Sequence, residues 1–434
     1  MTKTPPQNAW GNTVVIAGQG NGARAAALSL AAARVPVTIE PALAASGSAG
    51  PPDWQSVLAL SPAARHMLES LCVWRALDLP SSPICDMQVF GRPAAVSHAA
   101  AQTGGLLTPQ LGFASKGEET ALGHIVSLAA LARALDKQVQ KQVEVGAINV
   151  LPAALVDFDG TKKGAKKQAL LADGTHITIA LLVDLYRQAP PWRRRMAVQN
   201  LTHDYHAAAL VGHLKAGRPH GQLAAQIFLP DGPMALLPLP AHDELALVWS
   251  LPRDRAHALA YLGGDILAHE LAQASEGRFG ALAPIGEMAV QDLHLSLAQE
   301  VTGPAYLALG DAAHIIHPLA GQGFNLSLRD AAALADTLYE ARALGLPFDD
   351  ATMLEGYAKA RRADAAVTAA TTHGLVRLFQ GNAAPLGRLG LGLVGRMAER
   401  RPAWRRAFTA QANAGVAHND TPRLMRGAAF PHSD

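Results

Sequence analysis

Short apolar runs, each followed by a turn and a helical pattern, set the organisation of the chain. Residues 13–17 form an apolar, β-branched run that leads into Gly18-Gln19-Gly20-Asn21-Gly22-Ala23 and a helix-like stretch rich in Ala and Leu. A second run, residues 35–39, ends in Glu40. This order predicts a β-α-β unit with a dinucleotide fingerprint, in which Ala23 takes the third glycine position. Glu40 comes about 20 residues after Gly18, where an acid binds the ribose of an adenosine.

A second pattern of this kind lies late in the chain. Residues 307–309 are apolar and stop at Gly310-Asp311, and a helical repeat of Leu and Ala begins at Asn325. A strand there would deliver the Asp311 carboxylate to the sheet edge where open α/β sheets bind ligands. Pro318 and Gly321-Gln322-Gly323 lie just before the helix, whose N-terminal amides favour an anionic ligand edge. The combination suits a flavin, with a carboxylate for its polyol chain and amides for the ring edge that becomes anionic on reduction.

Residues 310–325 read GDAAHIIHPLAGQGFN and resemble the second FAD motif of the aromatic-ring flavin monooxygenases. They are most similar to the ubiquinone-biosynthesis branch, the UbiH/Coq6-like hydroxylases, and weaker likeness extends over residues 14–423. The resemblance implies that the first unit binds the ADP half of FAD through Gly18, Gly20, Ala23 and Glu40. It implies that the second motif holds the flavin half through Gly310, Asp311, Pro318, Gly321, Gln322, Gly323 and Asn325. The flavin-loop residues expected nearest the chemistry are His317, Pro318, Gly321 and Gln322.

The resemblance also implies the reaction. NAD(P)H would reduce FAD, and a flavin hydroperoxide would transfer an oxygen atom from dioxygen to a phenol. The leading hypothesis is hydroxylation of a polyprenyl-phenol intermediate of ubiquinone biosynthesis. Two alternatives stay open: a catalytically impaired member that serves as a subunit or scaffold of the biosynthetic complex, and a hydroxylase of a soluble aromatic metabolite. We expect no metal site, and interpret His314 and His317 as flavin-loop residues rather than ligands.

Two positions depart from the family pattern. These hydroxylases usually carry an arginine five residues before the serine of Ala59-Leu60-Ser61, and this chain has Ser56. They also follow the strand at 181–183 with Ala-Asp-Gly, a turn at the FAD pyrophosphate, and this chain reads Asp184-Leu185-Tyr186-Arg187. We therefore expect FAD binding to be weakened or to depend on another basic residue.

The predicted fold is α/β, with a Rossmann-like FAD-binding domain of mostly parallel strands and helices. An inserted antiparallel β-sheet forms the substrate domain, and a helical tail follows. The FAD-binding parts are 1–79, 120–190 and 285–345; the substrate parts are an excursion at 80–119 and a sheet at 191–284; the C-terminal helices are 346–434. Within this plan, residues 121–135 and 357–370 show helical patterns, and the lysine-rich 161–167 favours a solvated hairpin tip over a lipid contact.

Composition places the chain among globular proteins, since 49% of its 434 residues are apolar and 17% are charged. We expect no nucleic-acid partner. Cys72 and Cys85 are too few for a disulfide framework, and we interpret both as small core residues. Neither a secretory signal nor an apolar span of ~20 residues is apparent. We expect a cytoplasmic protein; the basic segment 374–408 leaves peripheral contact with the inner membrane face, or with other ubiquinone-biosynthesis proteins, open beside simple packing.

Overall fold

The computed structural model describes residues 10–45, 54, 56–91, 111–115, 117–160, 167–196, 199–262, 264–379 and 421–431. The strands in these ranges are β1 Val14–Ala17, β2 Val37–Ile39, β3 Val57–Leu60, β4 Ser82–Ile84, β5 Asp86–Gly91, β6 Leu111–Ala114, β7 Gly123–Ser127, β8 Ile148–Val150, β9 Leu155–Asp159, β10 Gln168–Leu171, β11 His176–Thr178, β12 Leu181–Asp184, β13 Asn200–Ala216, β14 Leu223–Leu229, β15 Gly232–Pro238, β16 Glu244–Pro252, β17 Leu282–Ala298, β18 Thr302–Gly303, β19 Tyr306–Ala308 and β20 His314–Ile315. The α-helices are α1 Asn21–Ala32, α2 Pro41–Ala44, α3 Pro62–Ser70, α4 Leu128–Glu144, α5 Arg253–Leu262, α6 Gly264–Ser275, α7 Gln322–Ala343 and α8 Ala351–Phe379.

A mostly parallel sheet carries the two glycine-rich turns. Its strand order is β18-β19-β12-β1-β2-β8, and only the pairing of β18 with β19 is antiparallel. Strands β1, β2, β12 and β19 are buried along their whole length, as expected for a sheet covered on both faces. Helices α1, α4 and α7 contribute to the core on one side of it. Because β1 and β19 are neighbours of β12, the turns that follow them open at the same sheet edge.

A second sheet of eight strands is largely antiparallel, in the order β20-β17-β13-β16-β15-β14-β5-β6. One face packs on α5 and α6 through residues such as Trp249 and Leu271. The excursion at 80–119 supplies β5 and β6 to the edge of this sheet. The predicted fold class is therefore confirmed. The domain boundaries stay a prediction, and β17 runs across the one placed between residues 284 and 285.

The helix predicted at 121–135 is wrong in its first half. Residues Gly123–Ser127 form β7, which pairs antiparallel with β3 and β4. The helix begins at Leu128, because the side chain of Ser127 accepts a hydrogen bond from the amide of Ala130 at 3.3 Å and caps it. The β-branched Ile125 and Val126 favour the strand that precedes the cap.

The interpretation of both cysteines as core residues is also wrong. Cys72 is exposed at a left-handed turn, φ 58°, just after α3 ends. Cys85 lies between β4 and β5 and is only partly buried. Cys72 thus occupies a turn in which backbone conformation, rather than burial, is the constraint.

Three further sequence predictions concern the rest of the chain. The helical run at 357–370 is confirmed within α8. The strands β9 and β10 on either side of the lysine-rich turn pair antiparallel, but residues 161–166 lie outside the described residues. The basic segment beyond residue 379 also lies outside them up to residue 420. Among the helices that are described, none combines the length and the apolar character needed to cross a membrane.

Candidate active site

The turn between β1 and α1 is built from glycines. Gly18 has φ 132° and Gly20 has φ 91°, conformations in which a side chain would be strained. Gly20 immediately precedes α1, and no side chain caps the helix there. The first residues of α1, up to Ala23, lie on the wall of a large cavity. The unpaired amides of this helix N-terminus are therefore available to a ligand in the cavity.

The loop between β19 and α7 forms another wall of the same cavity. Gly310 and Gly321 both adopt left-handed conformations, with φ 58° and 64°. No side chain caps α7, and its first residues, Gln322 and Gly323, lie on the wall. A Cβ on Gly321 would come within 2.9 Å of the Ala59 Cβ. Glycine is required here because the loop packs tightly on β3.

Asn325 fastens this loop to β3. Its Nδ2 donates to the carbonyl oxygens of Ala59 at 2.7 Å and Gly321 at 2.8 Å, and its Oδ1 accepts from the Ser61 amide at 2.9 Å. The residue is 1% exposed. Although Asn325 touches the cavity wall, its amide group is fully used in holding the Ala59–Ser61 segment and the α7 N-terminus together.

Asp311 follows Gly310 at the carboxyl end of β19 and lies on the wall. Its side chain is half-exposed, and Arg187 Nη1 donates to its Oδ2 at 3.2 Å. Arg187 belongs to the stretch that departs from the family pattern, so this substitution brings a guanidinium to the carboxylate expected to bind the polyol chain. Pro318 also lies on the wall.

Behind the loop, a buried ionic network fixes His314. Its Nε2 hydrogen-bonds Asp330 of α7, which also accepts from Arg361 of α8 at 2.7 Å. Burial alone would raise the pKa of Asp330, but the charges of His314 and Arg361 outweigh it and lower the pKa to about 2. His314 reaches the cavity wall, and its Nδ1 is buried without a hydrogen-bond partner in the described part of the chain. The network ties the flavin loop to both C-terminal helices.

His317 lies beside the cavity but not on its wall. Its Nδ1 accepts from the Leu319 amide at 3.2 Å, and its ring meets Tyr205 of β13 edge to face at 5.2 Å. Burial, followed by the neighbouring His373, lowers the pKa of His317 to about 4. A neutral His317 therefore joins the loop to the second sheet, and it has no metal-ligand geometry among the described residues.

The cavity has a volume of about 1110 Å³ and two distinct parts. The polar part is bounded by the two helix N-termini and by β3. The other part is bounded by one face of the eight-stranded sheet. Its lining is mostly apolar and includes Met87, Val89, Phe113, Val211, Leu237 and Leu293, and the polar residues there are Gln226, Gln291, Asp292 and His294.

Gly20, Ala23, Gly310, Asp311, Pro318, Gly321, Gln322, Gly323 and Asn325 all lie on this wall, whereas Gly18, Glu40 and His317 do not. Most of the predicted site residues are thus brought to one space, although their individual roles stay predictions.

The two departures from the family pattern have different structural outcomes. Ser56 lies on the polar wall, next to β3. Asp184 is fully buried, where it pairs with Arg193 at 2.6 Å and accepts from the Tyr306 hydroxyl at 2.8 Å. Asp184 is therefore a structural residue of β12 and does not reach the cavity wall, unlike Arg187.

Two cations on the polar wall were not identified from the sequence. Arg24, in the first turns of α1, forms an ion pair with Asp136 of α4, and Arg187 pairs with Asp311. The sequence feature that could have identified Arg24 is its position in the first turn of a predicted helix. A cation is unfavourable there unless an anion lies nearby, so this placement indicates an anionic ligand or partner.

The chemistry of these residues suits two parts of a flavin dinucleotide, the flavin with its polyol chain and the pyrophosphate. Two uncapped helix N-termini and two cations offer donors to a phosphate and to an anionic ring edge, and Asp311 offers an acceptor. The unpaired Nδ1 of His314 is a further polar atom beside the space.

Comparison with known proteins agrees with this geometry. The FAD binding domain family matches residues 264–370. The ubiquinone hydroxylase UbiL of Rhodospirillum rubrum is 30% identical over 385 residues, covering 85% of this chain and 82% of that protein. The ubiquinone hydroxylase UbiM of Neisseria meningitidis is 24% identical over 400 residues, covering 92% and 84%. The crystal structure of p-nitrophenol 4-monooxygenase from Pseudomonas putida shares the fold, with a TM-score of 0.68 at 13% identity over 93% of this chain and 97% of that one.

Proposed function

Because the chain belongs to the UbiH/Coq6-like family of FAD-dependent aromatic-ring hydroxylases, we propose that it hydroxylates a polyprenyl-phenol intermediate of ubiquinone biosynthesis. The reductant is NAD(P)H and the oxidant is dioxygen. One observation carries the proposal: a single cavity joins both nucleotide-type turns to an apolar sheet face. A redox cofactor and an apolar ring can therefore occupy adjacent parts of one space.

The polar part binds and orients the cofactor. The α1 N-terminus and Arg24 bind the pyrophosphate, the Asp311 carboxylate accepts hydrogen bonds from the polyol chain, and the first amides of α7 donate to the ring edge. When bound and reduced, FAD supplies the activation of dioxygen. Asn325 and the buried His314–Asp330 contact hold the loop in place for these tasks.

The apolar part positions the substrate and excludes water from the reacting atoms. Its lining suits a phenol that carries a hydrocarbon tail. The arginines found on the described wall, Arg24 and Arg187, are both in the polar part. Apolar residues outnumber polar ones at the sheet face, which favours the polyprenylated substrate over a soluble aromatic carboxylate.

The cofactor is tested first, by the visible spectrum of the purified protein and by FAD released on denaturation. We expect near-stoichiometric FAD that bleaches with NAD(P)H under anaerobic conditions. A colourless protein that added FAD cannot reconstitute would contradict the proposal and favour the scaffold alternative.

The substrate is tested by lipid extraction from a deletion strain. We expect an under-hydroxylated quinone precursor to accumulate, and the native chain to restore the quinone. The Asp311→Ala variant links this result to the cofactor site, because it removes the proposed polyol acceptor from a half-exposed position. We expect this variant to restore much less quinone than the native chain does. Normal quinone in the deletion strain would contradict the proposed substrate and favour a soluble aromatic metabolite.

A further inference from the structure

The carboxylate at the end of β2, that of Glu40, already forms hydrogen bonds with other groups of the protein. Glu40 is 3% exposed. Its Oε2 accepts from the Gly18 amide at 2.9 Å and from the Tyr186 hydroxyl, and its Oε1 accepts from the Leu155 amide at 3.0 Å. An acid in this position of a dinucleotide fold binds ribose hydroxyls. Here those bonds are made to the chain itself.

Tyr186 is held firmly in this position. Its amide donates to Asp184 at 2.9 Å, its carbonyl accepts from Arg193 at 2.6 Å, and its ring contacts Trp192. Burial, together with the hydrogen bond to Glu40, raises the pKa of the Tyr186 hydroxyl far above its ordinary value. Tyr186 therefore stays protonated and remains a donor to the carboxylate at any physiological pH.

The shape of the cavity agrees with these contacts. Its wall includes Leu185 and Arg187, on either side of Tyr186, yet neither Tyr186 nor Glu40. The segment is pressed against the first glycine turn, since a Cβ on Gly18 would lie 2.8 Å from the Leu185 carbonyl carbon. The open space thus reaches the α1 N-terminus but stops short of the carboxylate.

We propose that Tyr186 occupies the adenosine-ribose subsite and sets the cofactor preference of this chain. With Glu40 covered, the flavin, polyol and phosphate contacts carry the binding, and the adenosine half adds little. The chain accordingly prefers FAD over FMN less strongly than a chain in which the Glu40 carboxylate is free to bind the ribose. This inference rests on the proposed function, because it assumes that a flavin occupies the cavity.

Dissociation constants for FAD and FMN, measured by flavin fluorescence with the full chain, test the inference. We expect Tyr186→Ala to bind FAD about tenfold more tightly, since a hydrogen bond to a carboxylate is worth a factor of that order. FMN, which has no adenosine, should keep its constant. Tyr186→Phe retains the ring and should show part of the gain, which guards against poor folding of the alanine variant. Tyr261→Ala, at a tyrosine 91% exposed, is the matched control.

Glu40→Gln completes a double-mutant cycle. We expect it to change FAD affinity little in the native background and to abolish the gain in the Tyr186→Ala background. Equal changes for FAD and FMN, or weaker FAD binding by both Tyr186 variants, would overturn the inference while leaving the proposed function intact. Failure of every variant to bind either flavin would overturn the proposed function, and the inference with it.

Discussion

Ser56 lies on the polar wall of the cavity at the position where the family resemblance implies an arginine. The wall retains Arg24, but this guanidinium is paired with Asp136. The positive charge offered to a phosphate is therefore partly neutralised by a neighbour, and a new cation at residue 56 would add to it directly.

We expect Ser56→Arg to tighten FAD binding about tenfold at low salt, because a charge-assisted hydrogen bond to a phosphate is worth about 1.5–3 kcal/mol before screening. The gain should shrink as salt is raised. Ser56→Gln, a neutral donor with a shorter side chain, is the control. Fluorescence titrations at two salt concentrations measure both effects, and identical behaviour of the two variants would show that charge is not the missing element.

At the scale of elements, the site depends on how β3, the flavin loop and α7 are joined. Asn325 makes three hydrogen bonds across these elements, and the one to the Ser61 amide is fully buried. Gly321 allows the same contact by having no Cβ against Ala59. A single amide side chain and a glycine therefore fasten these elements together at the cavity wall.

We expect Asn325→Ala to lower the free energy of unfolding by about 2–4 kcal/mol, since it leaves one buried and two partly buried backbone groups without this partner. FAD affinity should fall with it, because the α7 N-terminus loses its anchor. Asn149→Ala, at an exposed position of β8, is the control for loss of an asparagine. Urea unfolding of both variants without cofactor separates the loss of stability from the loss of binding; an unchanged midpoint for Asn325→Ala would refute the anchoring role.

Much of the fold could be predicted from the sequence, for reasons specific to each element. The apolar runs of β1, β12 and β19 predicted a buried parallel sheet, and the two glycine turns predicted the edge of this sheet at which a ligand binds. The strand β7 was missed because its apolar residues continue the spacing of α4, so that only the capping Ser127 marks the boundary. Arg24 and Tyr186 could not be assigned from local pattern, since their partners Asp136 and Glu40 are more than a hundred residues away in the chain.

At the scale of the whole molecule, contacts between ionisable side chains join the flavin loop, the second sheet and α8. His317 of the loop packs on Tyr205 of the second sheet, and His373 of α8 hydrogen-bonds the same tyrosine at 3.2 Å. A proton on His317 would place an unpaired charge in this junction. Stability of the assembled molecule should therefore depend on pH through this residue.

Because burial depresses the pKa of His317 to about 4 from 6.5, the unfolded chain binds the proton more readily than the folded one. The stabilisation is complete above pH 6.5 and is lost as the pH falls from 6.5 toward 4. We expect His317→Asn to remove about 2 kcal/mol of the stability difference between pH 7 and pH 5. His257→Asn, at an exposed histidine, is the control. Urea unfolding at both pH values measures the difference, and equal pH dependence in the native chain and His317→Asn would contradict the assignment.

The hydrogen bonds of Asn325 also impose an order on biosynthesis. Ser61 precedes Asn325 by 264 residues, so a nascent chain displays its first glycine turn and β3 long before the residue that fastens them has been translated. The wall of the cofactor site cannot close until roughly three-quarters of the chain has left the ribosome. A flavin that binds earlier contacts only one wall of the site. Stable retention of the cofactor therefore comes late in the synthesis and folding of the chain.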